Sequence, residues 1–419
     1  MPIISLAFKS MFNRRVTVLL TVFAIALSVA LLLGVEKVRT EAKGSFANTV
    51  SGTDLIVGAR SGAIQLLLYS VFRIGNATNN ISIESYRKVA ARPNVAWTIP
   101  LSLGDSHRGF RVLGTNQDYF KHYRYGRKRP LAFAQGVPFA DLFDVVLGAD
   151  VAHSLGYRLD DAIVVNHGLG REGFSKHQDK PFRVSGILAK TGTPVDRTVH
   201  VSLEAIEGIH VDWKSGTRIP GMTVDADKVR QMKLKPKAIT AFMVGLKSRF
   251  STFSEQRFVN TYRGEPLLAI LPGVALQELW SLLGTAETAL SVISFFVVLT
   301  GLIGMLVMLL ASLNERRREM AILRSVGARP YQVFGLFVAE ALIMTGLGCL
   351  FGVILLNLSL VLAQPIIDAR FGLFISIDLP SVRNLIILGL VIVAGFIAGA
   401  IPAYRAYRQS LADGMIVHT

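Results

Sequence analysis

Few side-chain groupings in this sequence have the types and spacing that catalysis requires. The run Gly168-Leu-Gly170-Arg-Glu-Gly173 follows a strand-like segment and has the spacing of a dinucleotide-binding turn. The residues that follow are polar and include a proline, so no apolar helix follows the turn, and we interpret the run as a flexible loop. The sequence contains no Walker A motif, no G-x-S-x-G and no H-E-x-x-H. We therefore predict no catalytic residues and no cofactor, and we expect that any ATP hydrolysis belongs to another polypeptide.

Metal-ligand spacing is also missing. The chain has eight histidines, of which His167 and His177 share one polar segment, and one cysteine, Cys349, inside an apolar run. A zinc site needs three or four ligands that converge with fixed geometry. We predict no metal site and no disulfide in the chain.

One carboxylate lies inside an apolar run. Glu340 follows Pro330 by ten residues, which is roughly 15 Å of helix. An acidic side chain at that depth must face other helices or water. It either forms a polar hinge between helices or makes a simple interhelical hydrogen bond as a protonated carboxyl group.

Two pairs of small residues have the G-x-x-x-G spacing inside apolar runs. They are Gly348 with Gly352, and Gly395 with Gly399. Small residues at this spacing allow the backbones of membrane helices to approach closely. The pattern predicts helix packing, either within one bundle or between two subunits.

A polar segment from Asn314 to Pro330 combines charge with amphipathic order. Apolar Met320, Leu323 and Val326 fall on one side of a predicted short helix, which ends at Gly327. The arginines would also suit a plain positive-inside anchor, although an anchor does not explain the apolar side or the glycine stop. We interpret the segment as a helix that lies flat beneath a membrane.

Four apolar runs explain why 51% of the chain is hydrophobic and only 18% is charged. Each run is long enough to cross about 30 Å of hydrocarbon. We predict spans at 16–34, 284–313, 331–363 and 384–404, with a short outer loop at 364–383. The first run exceeds the apolar part of a signal peptide, and we interpret it as a retained anchor.

Orientation follows from the short polar flanks. Residues 1–15 hold three Lys or Arg and no acid, and five arginines lie at 312–330. We therefore predict that both termini, the interfacial helix at 1–15, the 314–330 segment and the tail at 405–419 are cytoplasmic. The alternative is that residues 1–14 are only the frayed start of the first span.

Residues 35–283 are predicted to be outside the membrane. They hold 33 Lys or Arg and 22 Asp or Glu, a net charge of +11. This excess is either a solvated basic surface or a surface for an anionic partner such as membrane lipid. Without a recognised nucleic-acid motif, no nucleic-acid partner is expected.

The fold class predicted for this region is α+β, inserted between the first and second of four membrane helices. Short segments rich in β-branched or aromatic residues alternate with helical stretches. A mixed core at 35–80 and 140–280 and a separate lobe near 84–138 are expected. Apolar residues at helical spacing after Gly34 and before Leu283 suggest that the first two spans extend outward as a stalk, paired or unpaired.

The segment 315–328, with Glu340-Ala341-Leu342 and Gly348–Gly352 beyond it, resembles the permease subunits of MacB/FtsX/LolC-type (type VII) ATP-binding-cassette (ABC) transporters. Looser similarity covers nearly the whole chain, including Val146-Leu147-Gly148 and the strand Phe182–Leu188. Residues 84–138 and the loop at 167–180 show nothing specific to that family.

The resemblance implies a MacB-like periplasmic domain at 35–283, a bacterial inner-membrane location, a second permease subunit as homo- or heterodimer partner, and a separate cytoplasmic ATPase that binds the ATP. A periplasmic adaptor or substrate protein is a further implied partner. The segment 314–330 corresponds to the coupling helix of that family, which contacts the ATPase. The residues carried over are Glu315, Arg316, Arg317, Arg318, Glu319, Met320, Leu323 and Arg324.

Two functions are compatible with this resemblance. The first is export or extraction of a hydrophobic molecule, peptide or lipoprotein, driven by mechanotransmission through the stalk. The second is a signalling subunit that regulates a cell-wall hydrolase or a sensor without transport. A membrane-anchored enzyme is a third alternative, but the sequence contains no recognised catalytic constellation.

Overall fold

The structure is a computed structural model, and it describes residues 11–12, 14–167, 179–214, 217–218, 224–315, 325, 327–371 and 380–408. By its internal contacts the chain divides into two compact units. One unit contains the long apolar helices and is called the membrane unit below. The other contains Ala42–Leu283 and is called the outer domain.

Four helices among the described residues are long and apolar enough to cross a membrane. They are α1 (Arg15–Thr49), α9 (Pro272–Glu315), α10 (Pro330–Phe371) and α11 (Val382–Arg408). The helices between them are α2 (Ala63–Ser70), α3 (Ile83–Ala90), α4 (Asp118–His122), α5 (Ala149–Leu155), α6 (Leu203–Ile209), α7 (Ala226–Gln231) and α8 (Thr252–Asn260). The predicted class, four membrane helices with an α+β domain inserted between the first and the second, is confirmed.

The third long helix extends beyond its predicted span. The span was predicted at 331–363, and the part of α10 that is apolar enough to cross a membrane is Pro330–Gln364, whereas the helix itself continues to Phe371. A proline removes one intrahelical hydrogen bond and bends a helix without always ending it. Residues 364–371 of the expected outer loop are therefore helical.

The strands of the outer domain are β1 (Leu55–Ala59), β2 (Ile81–Ser82), β3 (Val95–His107), β4 (Phe110–Thr115), β5 (Arg124–Tyr125), β6 (Arg129–Pro130), β7 (Phe133–Gly136), β8 (Asp144–Leu147), β9 (Ala162–Ile163), β10 (Asn166–His167), β11 (Phe182–Leu188), β12 (Thr198–Ser202), β13 (Trp213–Lys214), β14 (Thr217–Arg218), β15 (Ala238–Ile239), β16 (Ala241–Leu246) and β17 (Leu267–Ile270). The main sheet has the order β17-β1-β16-β3-β4-β12-β8-β11-β7.

The long strand β3 belongs to both halves of this sheet. Its residues 95–101 pair with β16, and its residues 102–107 pair with β4, with an irregularity between Leu103 and Ser106. The expected separate lobe at 84–138 is therefore wrong. Within 84–138, β3 pairs with β16 and β4 pairs with β12. The sequence pattern did not show this, because the paired segments are distant in the chain.

Alternation along the strands gives the first half of the sheet two buried faces. On β1, Ile56 points to a core shared with α2 and α4, whereas Leu55 and Val57 point to a core shared with α3 and α8. Successive side chains of a strand point to opposite faces, so a sheet covered by helices on both sides buries every residue. All five residues of β1 are indeed buried.

Candidate functional site

The small residues of α10 lie where α1 crosses it. A Cβ atom added at Gly348 would meet Ile25 Cγ2 at 2.4 Å, and one at Gly352 would meet Val29 Cβ at 2.8 Å and the carbonyl oxygen of Ala26 at 2.9 Å. Real Cβ atoms do not approach other atoms so closely. These two glycines therefore allow the backbone of α1 to rest directly on α10.

The second glycine pair packs α11 against α10. A Cβ at Gly395 would meet Thr345 Oγ1 at 2.3 Å, and one at Gly399 would meet the Cβ of Ala341 at 2.3 Å. Thr345 is fully buried and donates its hydroxyl hydrogen to the carbonyl oxygen of Ala341 at 2.8 Å. All four glycines thus contact neighbouring helices of the same chain, which is one of the two arrangements that the pattern allowed.

Glu340 lies on the buried side of α10. Its side chain is 2% exposed, and Phe337, Ala341 and Met344 on the same helix are also buried. The carboxyl group therefore faces the interior of the bundle and not its periphery. This position suits a polar contact between helices.

A polar contact also joins α1 to α9 within the membrane unit. The Ser28 hydroxyl lies 2.8 Å from the carbonyl oxygen of Ala24 and 3.2 Å from that of Val297 on α9. Gly301 leaves room for it, because a Cβ at that position would lie 3.1 Å from Ser28 Oγ. Beside this contact, α1 and α9 border an open, mostly apolar groove of about 650 Å³.

Ion pairs link three helices near the end of the first apolar run. Glu36 Oε1 on α1 lies 2.9 Å from Arg383 Nε on α11, and Arg39 Nε lies 3.7 Å from Glu287 Oε2 on α9. Because these groups are partly exposed, each pair contributes at most about 1 kcal/mol. They connect α1 to α11 and to α9 at this level.

The predicted coupling segment falls largely outside the described residues. Helix α9 ends at Glu315 and α10 begins at Pro330. The side chains of Glu315, Arg316, Arg317, Arg318, Glu319, Met320, Leu323 and Arg324 all lie outside what the structure describes. Gly327 has a φ of 101°, a value that favours glycine.

The outer domain holds the end of α1 through a short hairpin. Tyr123, which is 2% exposed, donates its hydroxyl hydrogen to the carbonyl oxygen of Thr49 at 2.6 Å. The backbone N–H of Ser51 donates to the carbonyl oxygen of Arg124 at 3.1 Å. The last carbonyl groups of a helix lack intrahelical partners, so these contacts stabilise the end of α1.

The start of α9 is anchored in the same domain. Ala275 and Leu276 are buried in the core that also contains residues of α2 and β1. The ammonium group of Lys43 on α1 lies 5.5 Å from the centre of the Trp280 ring on α9. Together with the Arg39–Glu287 contact in the membrane unit, this pairs the two helices beyond their apolar runs.

A buried aromatic and polar cluster lies behind Tyr123. Its ring stacks on Tyr119 at 5.0 Å, and Tyr119 lies 5.1 Å from the ring of His200. Burial, followed by the positive charge of Arg73, lowers the pKa of His200 to about 3. The imidazole is therefore neutral at physiological pH and acts as a packing group and hydrogen-bond partner of the Val146 carbonyl.

The described residues contain no cluster of three or more His, Cys, Asp or Glu side chains that could hold a metal ion. His167 belongs to β10, whereas His177 lies outside the described residues. The same holds for Gly168, Gly170 and Gly173 of the loop with dinucleotide-like spacing.

Four membrane helices with an α+β domain inserted after the first define a multi-pass membrane protein of the permease type. The sequence matches the family model of the MacB-like periplasmic core domain over residues 16–242, more than half of the chain. Residues 291–411 match the model of the FtsX-like permease C-terminal region. The chain belongs to the MacB/FtsX family of ABC transporter permeases.

Two curated relatives carry the name macrolide export ATP-binding/permease protein MacB. The protein from Azoarcus sp. (strain BH72) is 23% identical over 93% of this chain and 55% of its own length. The protein from Nitrobacter winogradskyi is 28% identical over 31% of this chain and 20% of its own length. The chain therefore spans about half the length, or less, of these relatives.

Solved structures of outer domains also resemble the chain. The periplasmic region of MacB from Actinobacillus actinomycetemcomitans is 12% identical and covers 55% of this chain and 94% of that one, with a TM-score of 0.33. The extracellular domain of the noncanonic ABC-type transporter YknZ from Gram-positive bacteria is 12% identical, and the match covers 52% of this chain and 99% of that one, with a TM-score of 0.30.

Several residues in these contacts were not singled out from the sequence. Ser28, Thr345 and Tyr123 each make a contact between segments far apart in the chain. Nothing in their sequence neighbourhood identifies the partner. Ser28 and Thr345 could have been noted as polar residues inside apolar runs, as Glu340 was.

Proposed function

We propose that the chain is the transmembrane part of an ABC exporter that works by transmitting movement along α1 and α9. The observation that carries this proposal is that α1 and α9 are each one continuous helix containing both an apolar span and a segment anchored in the outer domain. An unbroken helix is stiff, so displacement at one end is transmitted to the other. The ATP-binding sites belong to an ATPase outside these 419 residues.

The 314–330 segment is proposed to dock on that ATPase. The five arginines from Arg316 to Arg329 supply positive charge, while Met320 and Leu323 supply apolar contacts. The segment joins α9 directly to α10, and α10 carries Gly348 and Gly352, on which α1 rests. Movement of the segment would therefore reach both helices that enter the outer domain.

The proposed cycle needs no channel through the four spans. ATP-driven closure of the ATPase pair moves the two coupling segments of a permease dimer, and the spacing of α1 and α9 changes in each subunit. The outer domains then act on a hydrophobic molecule, peptide or lipoprotein at the outer face of a bacterial inner membrane, with both termini cytoplasmic. The chain's own residues bind and move but carry out no catalysis.

Charge reversal at Arg316, Arg317 and Arg318 tests the docking role. We expect the triple Glu variant to lose copurification with the ATPase, because three favourable contacts become repulsive. A matched control reverses Arg405 and Arg408 in the cytoplasmic tail, which changes a similar charge elsewhere. A second variant, Met320→Ala with Leu323→Ala, keeps the charge that orients the spans and should also weaken the complex. Unchanged copurification of the ATPase with both the triple Glu variant and the Met320→Ala, Leu323→Ala variant would contradict the proposal.

A regulatory role without transport would use the same parts. The observation that supports this regulatory role is the match of residues 291–411 to the FtsX-like permease region. The neighbourhood of the coding gene discriminates between the two. An adjacent ATPase gene with a periplasmic adaptor supports export, whereas an adjacent wall hydrolase or sensor kinase supports regulation.

A further inference from the structure

The first half of the outer-domain sheet has one end at which both connections to the long helices lie. Leu55 pairs with Val244 at the start of β1, and Ile56 pairs with Ile270 at the end of β17. The chain enters β1 from α1 and leaves β17 into α9, so this end adjoins both helices. It is called the stalk end below, and β16 also finishes there, at Leu246.

Two phenylalanines project into solvent immediately after β16. Phe250 is 98% exposed and Phe253 is 71% exposed, one in a 3-10 turn and the other in the first turn of α8. Helix α8 buries Thr252, Glu255 and Val259, so Phe253 and Arg257 lie on its opposite side, and Phe250 lies in the turn just before the helix. Contiguous exposed apolar patches mark interaction surfaces, whereas apolar residues scattered singly are ordinary.

Three cationic residues lie within four positions of this aromatic pair in the sequence. Lys247, Arg249 and Arg257 are all exposed. Among the described residues no carboxylate forms an ion pair with Arg249 or Arg257, and the Lys247 ammonium donates to the carbonyl oxygen of Pro93. We call the surface formed by Lys247, Arg249, Phe250, Phe253 and Arg257 the aromatic–basic face.

The nearby acid does not neutralise this surface. Glu255 is 2% exposed and is held from the opposite side of α8 by Arg92, whose Nε and Nη2 lie 3.0 and 3.1 Å from its two carboxylate oxygens. Asn94 donates to the same carboxylate at 2.8 Å. The charge of Glu255 is thus balanced by Arg92, and the aromatic–basic face retains its positive charge.

We propose that the aromatic–basic face binds a single anionic amphiphile, with its acyl chain across Phe250 and Phe253 and its acidic head on the three cations. Charge complementarity selects an anion, and exposed phenylalanine rings select an apolar chain. This proposal rests on the proposed function and deepens it by naming a substrate class and a contact site.

A fluorescent label beside the face tests the proposal on the full-length protein. Ser254→Cys on a Cys349→Ala background places one reactive thiol next to Phe250 and Phe253 and leaves both rings in place. The protein is held in phosphatidylcholine nanodiscs and titrated with lysophosphatidylglycerol. We expect a saturable blue shift of the label, with a midpoint at least tenfold lower than for lysophosphatidylcholine of the same chain length. Glycerophosphoglycerol, which has the head but no chain, should give no shift.

Matched variants distinguish binding at the aromatic–basic face from partition of the amphiphile into the nanodisc. The label at Asp227→Cys, on exposed α7, reports the same lipid mixture and should not respond. Phe250→Ala with Phe253→Ala should raise the midpoint at least tenfold, and Arg249→Glu with Arg257→Glu should remove the preference for the anionic head. Equal responses to both lysolipids, or equal responses of both labels, would overturn the proposal.

Coverage by a second copy of the chain is a distinct outcome. In that case the label at residue 254 would be shielded before any amphiphile is added, and its emission would change on dilution to monomers. That result would also overturn the proposal. The titration uses no ATP, ATPase or transport, so a failure to bind amphiphile is distinguishable from a failure of the ATPase copurification experiment.

Discussion

The outer domain and the membrane unit are each stabilised internally, by different kinds of interaction. The outer domain pairs distant strands, buries apolar side chains on both faces of a sheet, and contains ion pairs in its interior. The membrane unit is packed through Gly348, Gly352, Gly395 and Gly399, and its described ion pairs lie near one end of the bundle. Burial from water does not drive association between helices in lipid, so close backbone contact replaces it there.

This comparison predicts opposite sensitivities. The outer domain should be most sensitive to loss of buried charge, whereas the membrane unit should be most sensitive to added volume. Three sets of variants test the contrast.

The largest effect is expected at the ion pair between Lys180 and Asp212. Lys180 Nζ lies 2.9 Å from Asp212 Oδ1, and both side chains are fully buried. Asp212→Ala leaves a buried ammonium group with less compensation and should lower the free energy of unfolding by about 3–5 kcal/mol. Thermal or denaturant unfolding of the outer domain measures it.

An exposed pair supplies the control for that variant. Asp227 lies 2.8 Å from Arg230, but its side chain is 82% exposed. Asp227→Ala should change stability by less than about 1 kcal/mol. Equal losses of unfolding free energy in Asp212→Ala and Asp227→Ala would contradict the prediction that burial sets the cost of breaking the pair.

A smaller effect is expected from one added methyl group in the membrane unit. Gly348→Ala places a Cβ against Ile25 and should destabilise the bundle by about 1–3 kcal/mol. Gly346→Ala on the same helix is the matched control, since a Cβ there meets no atom within 4 Å. Thermal unfolding in detergent compares them, and a control as unstable as Gly348→Ala would contradict close packing as the cause.

The smallest effect concerns the pH dependence of Glu255. Burial raises the pKa of its carboxyl group, but hydrogen bonds from Arg92 and Asn94 outweigh burial and lower the pKa below its usual value. Because the folded pKa is the lower one, the stabilisation is complete above the unfolded pKa of about 4.3 and is lost as the pH falls through the folded value. Glu255→Gln should lose about 1 kcal/mol at neutral pH.

The difference in unfolding free energy between the wild type and Glu255→Gln isolates this group from other carboxylates. The difference should shrink as the pH falls below about 4.3. A difference that stays constant down to pH 2 would mean that the Arg92 contact contributes nothing through its charge. The difference in unfolding free energy between the wild type and Gly348→Ala should not decrease over the same pH range.

Much of the membrane unit was predictable because its signals are local. Apolar runs long enough to cross a bilayer identified four helices, and the spacing of the glycines identified two packing surfaces. Which helix each glycine contacts was not predictable, because a G-x-x-x-G pattern does not specify its partner.

The outer domain was predictable in class but not in pairing. Its strand segments are rich in β-branched residues, yet β3 was assigned to a separate lobe, because its pairing with β16 joins segments far apart in the chain. The aromatic–basic face had a visible signal, Phe250-x-x-Phe253 among Lys and Arg. The sequence could not show that these rings are exposed, because the same spacing also describes the buried side of a helix.

The amino-acid sequence by itself determined the number of spans, the α+β class of the inserted domain and the family, since these depend on run length, periodicity and short motifs. The tertiary structure alone decided that Tyr123 holds the end of α1, that Gly348 and Gly352 face Ile25 and Val29, and that β3 joins both halves of one sheet. Each of these contacts brings together residues far apart in the chain. Such contacts depend on the packing of the whole domain, and no local pattern encodes them.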